Sequence, residues 1–201
     1  MLSLPLASTT ETATIRVFIS DYAEVSPVTR EGARTTATAI LERAGLRVEW
    51  AECAVREGSG DFPCDGMQSR DIHLRILNAA LAKGMGTSRN CLGYAIRDEG
   101  FGGIAAVYLH RVVELERQRT ASRQAILGAV MAHEIGHLLL PEMTHSTIGL
   151  MRGNWNDADL KALAQGRFGF CEAQARRMVS MAAERVEERN RAAALALAQC
   201  R

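Results

Sequence analysis

The sequence predicts a three-layer α/β domain with a mixed, twisted sheet of about five strands and a long buried helix in its second half. Five short segments have the alternation or the apolar content of strands, and helical stretches separate and follow them. Loops rich in glycine, aspartate and proline divide these segments. A chain of 201 residues is long enough for one core of this kind.

The strands are predicted from apolar residues bounded by turn residues. In the first strand Ile15, Val17 and Ile19 share one face, as the two-residue period of a strand requires. The last two strands flank a glycine-containing turn and form an antiparallel hairpin. The predicted strands are residues 14–20, 46–51, 72–77, 92–96 and 104–109, with loops at 57–70 and 83–90 and the hairpin turn at 97–103.

The helices are predicted from their start and stop residues. Pro27 opens the first helix, Gly45 stops it, and Ser122 is a suitable N-cap for the long helix. Pro141 ends the long helix, because proline cannot continue the hydrogen-bond ladder and moves its predecessor out of the helical region. The predicted helices are residues 27–44, 123–140 and 157–165, and a last one from 172 to about 200.

Composition excludes some classes of partner. The hydrophobic share of 47% and the charged share of 23% are those of a globular protein. A net charge of +1 gives no electrostatic reason to expect nucleic acid or an anionic membrane as a partner. No apolar run approaches the roughly 20 residues that span a bilayer, so we expect no membrane span. The oligomeric state is left open.

Residues 1–13 are expected to be a leader or the remnant of a secretory signal, ahead of a single domain at 14–201. Residues 1–8 are apolar and end in small residues, as the tail of a secretory signal does, but they lack a basic region and are too short to be a full signal. No CxxC pair occurs among the five cysteines, which argues against a cysteine-based zinc site. Cys53 and Cys64 flank a stretch that contains glycine, serine, aspartate and proline, and they could form a disulfide across it or stay reduced. A secreted or cell-envelope location is favoured over a cytoplasmic one.

The long helix carries the sequence His133-Glu134-Ile135-Gly136-His137. Histidines four residues apart leave the same face of a helix, so two imidazoles can share one tetrahedral zinc ion at roughly 2.0–2.1 Å. Glu134 lies beside the first histidine and can reach a metal-activated water as general base. The alternative is a histidine pair that binds nothing. The helix is apolar nearly all round, however, and buried imidazoles there need polar partners.

A catalytic zinc ion usually has three protein ligands and keeps a fourth position for water. Pro141 forces the chain to turn after the helix, and His145 follows the second histidine after a loop of seven residues. We therefore favour His145 as the third ligand over a solvated loop histidine. Glu142 is also within reach, and Asp157 or Glu172 is the next candidate for a carboxylate ligand.

The segment HEIGHLLLPEMTHSTIGLM resembles the zinc-binding segment of the metzincin clan of metallopeptidases. Those proteins carry HExxHxxGxxH followed by a tight turn that places a methionine beneath the metal. Here Leu140 stands at the position of the clan's glycine and Met143 at that of its third histidine, and a histidine arrives two residues later. The roles that the resemblance implies are zinc ligands for His133, His137 and His145, general base for Glu134, and Met-turn residue for Met151.

The order of elements over residues 14–151 also resembles the metzincin clan, which implies a zincin-like fold. By that resemblance Gly93, Tyr94 and Ala95 belong to an antiparallel edge strand that pairs with an extended peptide. Tyr94 or the amides of this strand could stabilise an oxyanion. An ordinary edge strand is the alternative, since peptide pairing needs only an open edge.

Other polar residues are expected to have structural roles. His73 alternates with Arg75 on the outer face of the third strand, where a solvated side chain is expected. His110 ends the fifth strand before a charged helix and is expected to be structural. Three residues that follow the proposed Met-turn could line a cleft or pin the loop: Arg152, Asn154 and Trp155.

The sequence thus predicts a zinc-dependent metallopeptidase with Zn²⁺ as cofactor and a peptide or protein as substrate. A zinc-binding interaction domain without catalysis is the rival hypothesis, and a zinc amidohydrolase acting on a small substrate is a third. Glu134 favours catalysis, because a metal held for structure alone does not need that carboxylate.

Overall fold

The computed structural model describes residues 13–55, 64–68, 70–83, 91–97, 103–118, 121–142 and 144–199, without the side chains of 189 and 192–199. The elements within these ranges include all five strands in the first half and are helical after the last strand. They are β1 (Ala13–Asp21), α1 (Pro27–Arg43), β2 (Leu46–Glu52), β3 (Ile72–Leu77), α2 (Ala79–Lys83), β4 (Gly93–Ile96), β5 (Ile104–Tyr108), α3 (Leu109–Gln118), α4 (Arg123–Leu139), α5 (Asp157–Ala164) and α6 (Glu172–Gln199).

The five strands form one mixed sheet in the order β2-β1-β3-β5-β4. Pairing is parallel from β2 through β5, and β4 is antiparallel to β5. The predicted α/β fold, its five-stranded mixed sheet and its antiparallel hairpin are therefore confirmed. The interior strands are buried on both faces, which explains their nearly continuous apolar sequence. Among the described residues β4 pairs only with β5, so it lies at an edge of the sheet, next to α4.

The main core lies between one face of the sheet and the helices α1 and α4. Inward residues of β1, among them Val17 and Ile19, pack there with Leu127 and Met131 of α4. The two helices approach closely at Gly128, where an added Cβ would lie 2.4 Å from the carbonyl oxygen of Ala33. Helix α4 also contacts β5 and β4, and Glu134 in its C-terminal half lies against Gly93 of the edge strand.

Replacing Gly128 by alanine should lower the free energy of unfolding by about 1–3 kcal/mol, because the new methyl group meets backbone of α1 that cannot move aside. Gly32→Ala is the matched control. It also adds a methyl group between α1 and α4, but its neighbour is the exposed side chain of Gln124. Urea unfolding of both variants measures the difference. Equal stability of the two would contradict the close helix contact.

Some details of the secondary structure differ from the sequence prediction. The fifth strand ends at Tyr108, and the predicted strand residues Leu109 and His110 begin α3 instead. The short helix α2 was not predicted; the side chain of Asn78 accepts a hydrogen bond from the Leu81 amide at its start. Ala13 was predicted to belong to the leader but is the first residue of β1. Residues 1–12 lie outside the described residues. So do parts of the predicted loops 57–70 and 83–90 and of the predicted turn 97–103.

The prediction that His73 is solvated is wrong. Its side chain is 2% exposed, and Nε2 lies 2.8 Å from the hydroxyl of Ser20. Burial, with a smaller contribution from the charge of Arg75, lowers the pKa of His73 to about 4. Cys53 and Cys64 form a disulfide, and Cys64 Sγ lies 3.9 Å from the same His73 nitrogen. The alternation of residues along β3 predicted one solvated face, but the second face of the sheet is also covered.

No helix within the described part of the chain is both long and apolar enough to cross a membrane.

Candidate metal centre

Helix α4 buries the three polar residues of the His-Glu-His motif. The side chain of Ser122 caps its start by accepting from the amide of Ala125, as predicted. Every residue from Ile126 to Leu139 is buried, because α4 lies between the sheet and the other helices. His133, Glu134 and His137 are only 7%, 4% and 6% exposed. Polar side chains buried to this extent need partners, and the packing of α4 brings those partners together.

Three imidazoles converge at the C-terminal half of α4. Nε2 of His133 and Nε2 of His137 lie 3.1 Å apart. The ring of His145 lies 5.3 Å from that of His133 and 5.0 Å from that of His137, centre to centre. One nitrogen of each ring falls within 4.8 Å of the others. The structure therefore brings together the three histidines that the sequence singled out.

The protonation of these histidines suits metal binding. His133 Nδ1 lies 2.7 Å from the carbonyl oxygen of Leu150 and donates to it, so Nε2 keeps its lone pair. Burial lowers the pKa of His133 to about 4 and that of His137 to about 3, so both rings are neutral at pH 7. Two ligands of a tetrahedral zinc ion at roughly 2.0–2.1 Å lie about 3.3 Å apart, close to the observed separation of the Nε2 atoms. Nδ1 of His137 is buried and has no hydrogen-bond partner among the described residues.

The turn from residue 145 to 152 delivers the third histidine. The amide of Ser146 donates to the carbonyl of Met151 at 2.8 Å, which closes the turn. The amide of Leu150 donates to the carbonyl of Gly169 at 2.8 Å, which anchors the turn to the segment before α6. His145, at the start of the turn, is exposed, unlike the two helical histidines. The site is thus built from two buried donors on a rigid helix and one accessible donor on a loop.

Met151 packs against α4 at Gly136, the residue before His137. It is fully buried, and a Cβ added at Gly136 would lie 2.7 Å from its sulfur. The ring of Phe170 approaches the same point. Gly136 therefore permits a contact that a larger residue would prevent, and this contact supports the helical turn that carries both imidazoles.

Glu134 points from α4 towards the edge strand. A Cβ added at Gly93 would lie 2.6 Å from Glu134 Oε1 and 2.3 Å from the carbonyl oxygen of Ala106. Only glycine leaves room there for the carboxylate to lie against β4. Burial raises the pKa of Glu134 to about 8. A cation held by the adjacent histidines would favour its charged form and act against the effect of burial.

The phenol of Tyr94 lies on the opposite face of the sheet from Glu134. Its ring packs 6.0 Å from that of Tyr108 in a second, smaller apolar cluster. Its neighbours Gly93 and Ala95 face α4, since successive strand residues alternate between faces. Tyr94 nevertheless borders the cavity beside the histidines, and its role in stabilising an oxyanion stays a prediction. The amides of β4 remain candidates.

A cavity of about 280 Å³ opens beside the histidines and runs between β4 and the turn. Its apolar wall includes Leu115 of α3 and Val130 of α4. Cys91 also lines it, and the guanidinium of Arg111 binds the carbonyl and, at 3.2 Å, the sulfur of Cys91. Leu115 and Cys91 were missed from the sequence, because nothing in their local pattern separates them from ordinary core residues.

Three residues after the turn also border the cavity: Arg152, Asn154 and Trp155. Arg152 pins the loop as well, because Nη1 binds Asp159 at 2.8 Å and Nη2 binds the carbonyl of Thr147 at 2.9 Å. Trp155 donates to the Leu150 carbonyl at 3.1 Å. The two roles weighed from the sequence, lining a cleft and pinning the loop, thus coexist.

Two arginines that the sequence did not single out hold the end of α4. Arg97, directly after the edge strand, donates to the carbonyls of His137 and Leu140. Arg185 of α6 donates to the carbonyl of Leu138 at 2.7 Å, and burial lowers its pKa to about 10. Positive charges at a helix C-terminus stabilise its unpaired carbonyls. Only the tertiary fold reveals them, because both partners are distant in sequence.

The carboxylates considered as alternative ligands lie elsewhere. Glu142 is exposed and forms an ion pair with Arg177 at 2.7 Å, and Glu172 pairs with Arg176. Asp157 lies in the first turn of α5. None of them joins the histidine group within the described residues. The other group with metal-ligand chemistry, around His73, has both of its sulfurs in a disulfide.

Comparisons with known proteins give limited information. No protein-family profile and no curated protein matches the sequence. Among solved structures, a zinc-dependent peptidase from Methanocorpusculum labreanum aligns with a TM-score of 0.48 at 16% identity, over 82% of this chain and 99% of that one. The archaemetzincin from Methanopyrus kandleri aligns with a TM-score of 0.46 at 15% identity, over 88% and 98%. At these values the function must be argued from the site itself.

Proposed function

We propose that this protein is a zinc-dependent metallopeptidase. One observation carries the proposal: three imidazoles converge within 4.8 Å of one another, and the buried carboxylate of Glu134 lies beside them against an edge strand. Nitrogen donors at tetrahedral spacing suit zinc, and three protein donors leave a fourth position for water or substrate.

His133, His137 and His145 would hold the ion. When bound, zinc supplies Lewis-acid chemistry that polarises a carbonyl group and makes water a nucleophile near neutral pH. Glu134 accepts the proton of the attacking water on a carboxylate oxygen and passes it to the leaving amine. Met151 supports the helix beneath these histidines as the Met-turn residue.

The substrate we propose is an extended peptide that adds to the edge of β4 that pairs with no other strand in the described part of the chain. Such pairing uses main-chain hydrogen bonds and leaves alternate side chains to enter pockets. Gly93 and Ala95 face the helix, and Gly93 lies against Glu134, so a peptide on this edge runs past the metal centre. The adjacent cavity is open to a substrate side chain.

The rival, a zinc site that serves structure alone, is less well supported. Structural zinc sites are usually closed by four protein ligands. Here one of the three histidines is exposed and the group borders a cavity. An amidohydrolase acting on a small substrate would use the same residues, but the open edge of β4 favours a peptide. The Cys53–Cys64 disulfide supports a secreted or cell-envelope location, because disulfides persist in oxidising compartments.

Metal removal tests the proposal. We expect the purified protein to hold one zinc ion per chain, to cleave members of a mixed peptide library, to lose cleavage after chelation and to regain it with Zn²⁺. Metal analysis measures the zinc content, and mass spectrometry of the peptides measures the cleavage. Full cleavage by the metal-free protein would overturn the proposal. Stoichiometric zinc without any cleavage would favour the structural rival.

A further inference from the structure

One carbonyl oxygen receives two side-chain donors next to the metal centre. The oxygen of Leu150 lies 2.7 Å from His133 Nδ1 and 3.1 Å from Trp155 Nε1. We propose that Trp155 is a positioning residue: its indole N–H holds the Leu150 carbonyl in the orientation that fixes the tautomer of His133 and directs His133 Nε2 at the metal. This inference rests on the function proposed above and extends it to a residue that does not itself contact the metal.

The indole is held in place by its surroundings. Its ring meets that of His133 edge-on at 5.9 Å and that of Phe168 edge-on at 5.4 Å. The next residue, Asn156, is the N-cap of α5 and forms a capping box with Asp159. Trp155 is therefore placed by the start of α5.

The carbonyl needs such a partner because it belongs to a turn rather than to a helix or a strand. The amide of Leu150 donates to the carbonyl of Gly169, and its carbonyl oxygen faces His133 on α4. Metal-binding histidines usually donate their second ring nitrogen to an oxygen, and changes to such outer partners typically weaken metal affinity. A half-buried indole N–H also requires an acceptor, so the arrangement satisfies both donors.

Arg152 strengthens the link between this turn and α5. Its guanidinium binds the carbonyl of Thr147 inside the turn and the carboxylate of Asp159 in the first turn of α5. His145 starts the same turn, so the structure that supports the Leu150 carbonyl also locates the exposed ligand. Trp155 thus lies next to the turn that carries His145 and contacts the carbonyl that accepts from His133.

Trp155→Phe tests the proposal, because phenylalanine keeps an aromatic ring between His133 and Phe168 but cannot donate a hydrogen bond. We expect zinc affinity, measured by competition with a chelator, to fall by up to about 10-fold, the low end of the range for a ligand's own hydrogen-bond partner, because Trp155 acts through the Leu150 carbonyl. The absorption spectrum of the cobalt-substituted protein should change, because the orientation of one ligand is released. A variant that binds zinc within about twofold of the wild-type affinity, with an unchanged cobalt spectrum, would overturn the proposal.

Trp50→Phe is the matched control. Trp50 is also half-buried and donates its indole N–H at 2.8 Å to the hydroxyl of Thr38, but it lies on β2 at the far edge of the sheet. We expect zinc affinity and the cobalt spectrum of this variant to match the wild type. In the same variant Trp155 is the remaining tryptophan, and its fluorescence should be quenched stoichiometrically by Co²⁺ because the indole lies against His133. Absence of quenching would contradict that placement.

A second variant separates hydrogen bonding from ring packing. Phe168→Leu removes the edge-on contact with the indole and leaves the N–H in place, so we expect zinc affinity close to that of the wild type. An equal loss of affinity in Phe168→Leu and Trp155→Phe would show that packing carries the effect and would overturn the proposal. If the wild-type protein binds no zinc, both the proposed function and this inference fail. If it binds zinc and Trp155→Phe binds equally well, only this inference fails.

Discussion

Replacing Glu134 by glutamine should leave the zinc content unchanged and lower peptide hydrolysis by about 10²–10⁴-fold. The amide has the size and shape of the carboxylate, so it fits the space that Gly93 leaves beside β4. It cannot accept the proton of the attacking water. None of the three converging imidazoles is altered, so metal binding should persist. Zinc analysis and the cleavage rate of a substrate peptide, measured on the same preparation, separate these two effects.

Glu142→Gln is the matched control for this prediction. Glu142 is exposed, pairs with Arg177 and lies just beyond the end of α4. Its neutralisation removes one negative charge near the site without touching the histidines, so activity should stay close to that of the wild type. Full activity of Glu134→Gln would refute the proposed base. Loss of zinc in that variant would show instead that the carboxylate helps to hold the metal.

Replacing His145 by alanine should have the second-largest effect, on zinc affinity. We expect a loss greater than the roughly 10–100-fold that follows from changing an outer partner of a ligand, because a donor itself is removed. Folding should be nearly unaffected, since His145 is exposed and lies outside the core. Chelator competition measures the affinity, and thermal unfolding of the metal-free proteins confirms that the fold is intact.

Added imidazole offers a further test of the same ligand. Because His145 is exposed beside the cavity, free imidazole can reach the gap left in the alanine variant and should partly restore zinc binding. The control His110→Ala removes an exposed histidine from α3 and should change neither the zinc affinity nor the thermal unfolding of the metal-free protein. Undiminished zinc affinity in His145→Ala would mean that another group, such as Asp157 or Glu172, is the third ligand.

The fold was largely predictable from local patterns. Alternation in β1 and the cap at Ser122 depend on residues within a few positions of one another, so the corresponding elements follow from the sequence. The pattern failed at His73, because alternation assumes one solvated face and here both faces of β3 are covered. It also failed at His110, where β5 passes into α3 without any turn residue to mark the boundary.

The sequence by itself determined the spacing of the two helical histidines and the position of Glu134 between them, because four residues make about one turn of any α-helix. It also indicated His145, since Pro141 had to end the helix before it. Only the tertiary structure decided how these groups are held. Gly93 makes room for Glu134, and the carbonyl of Leu150 inside the turn accepts from both His133 and Trp155. Such contacts depend on packing between distant segments and on where a single carbonyl points, which no local pattern encodes.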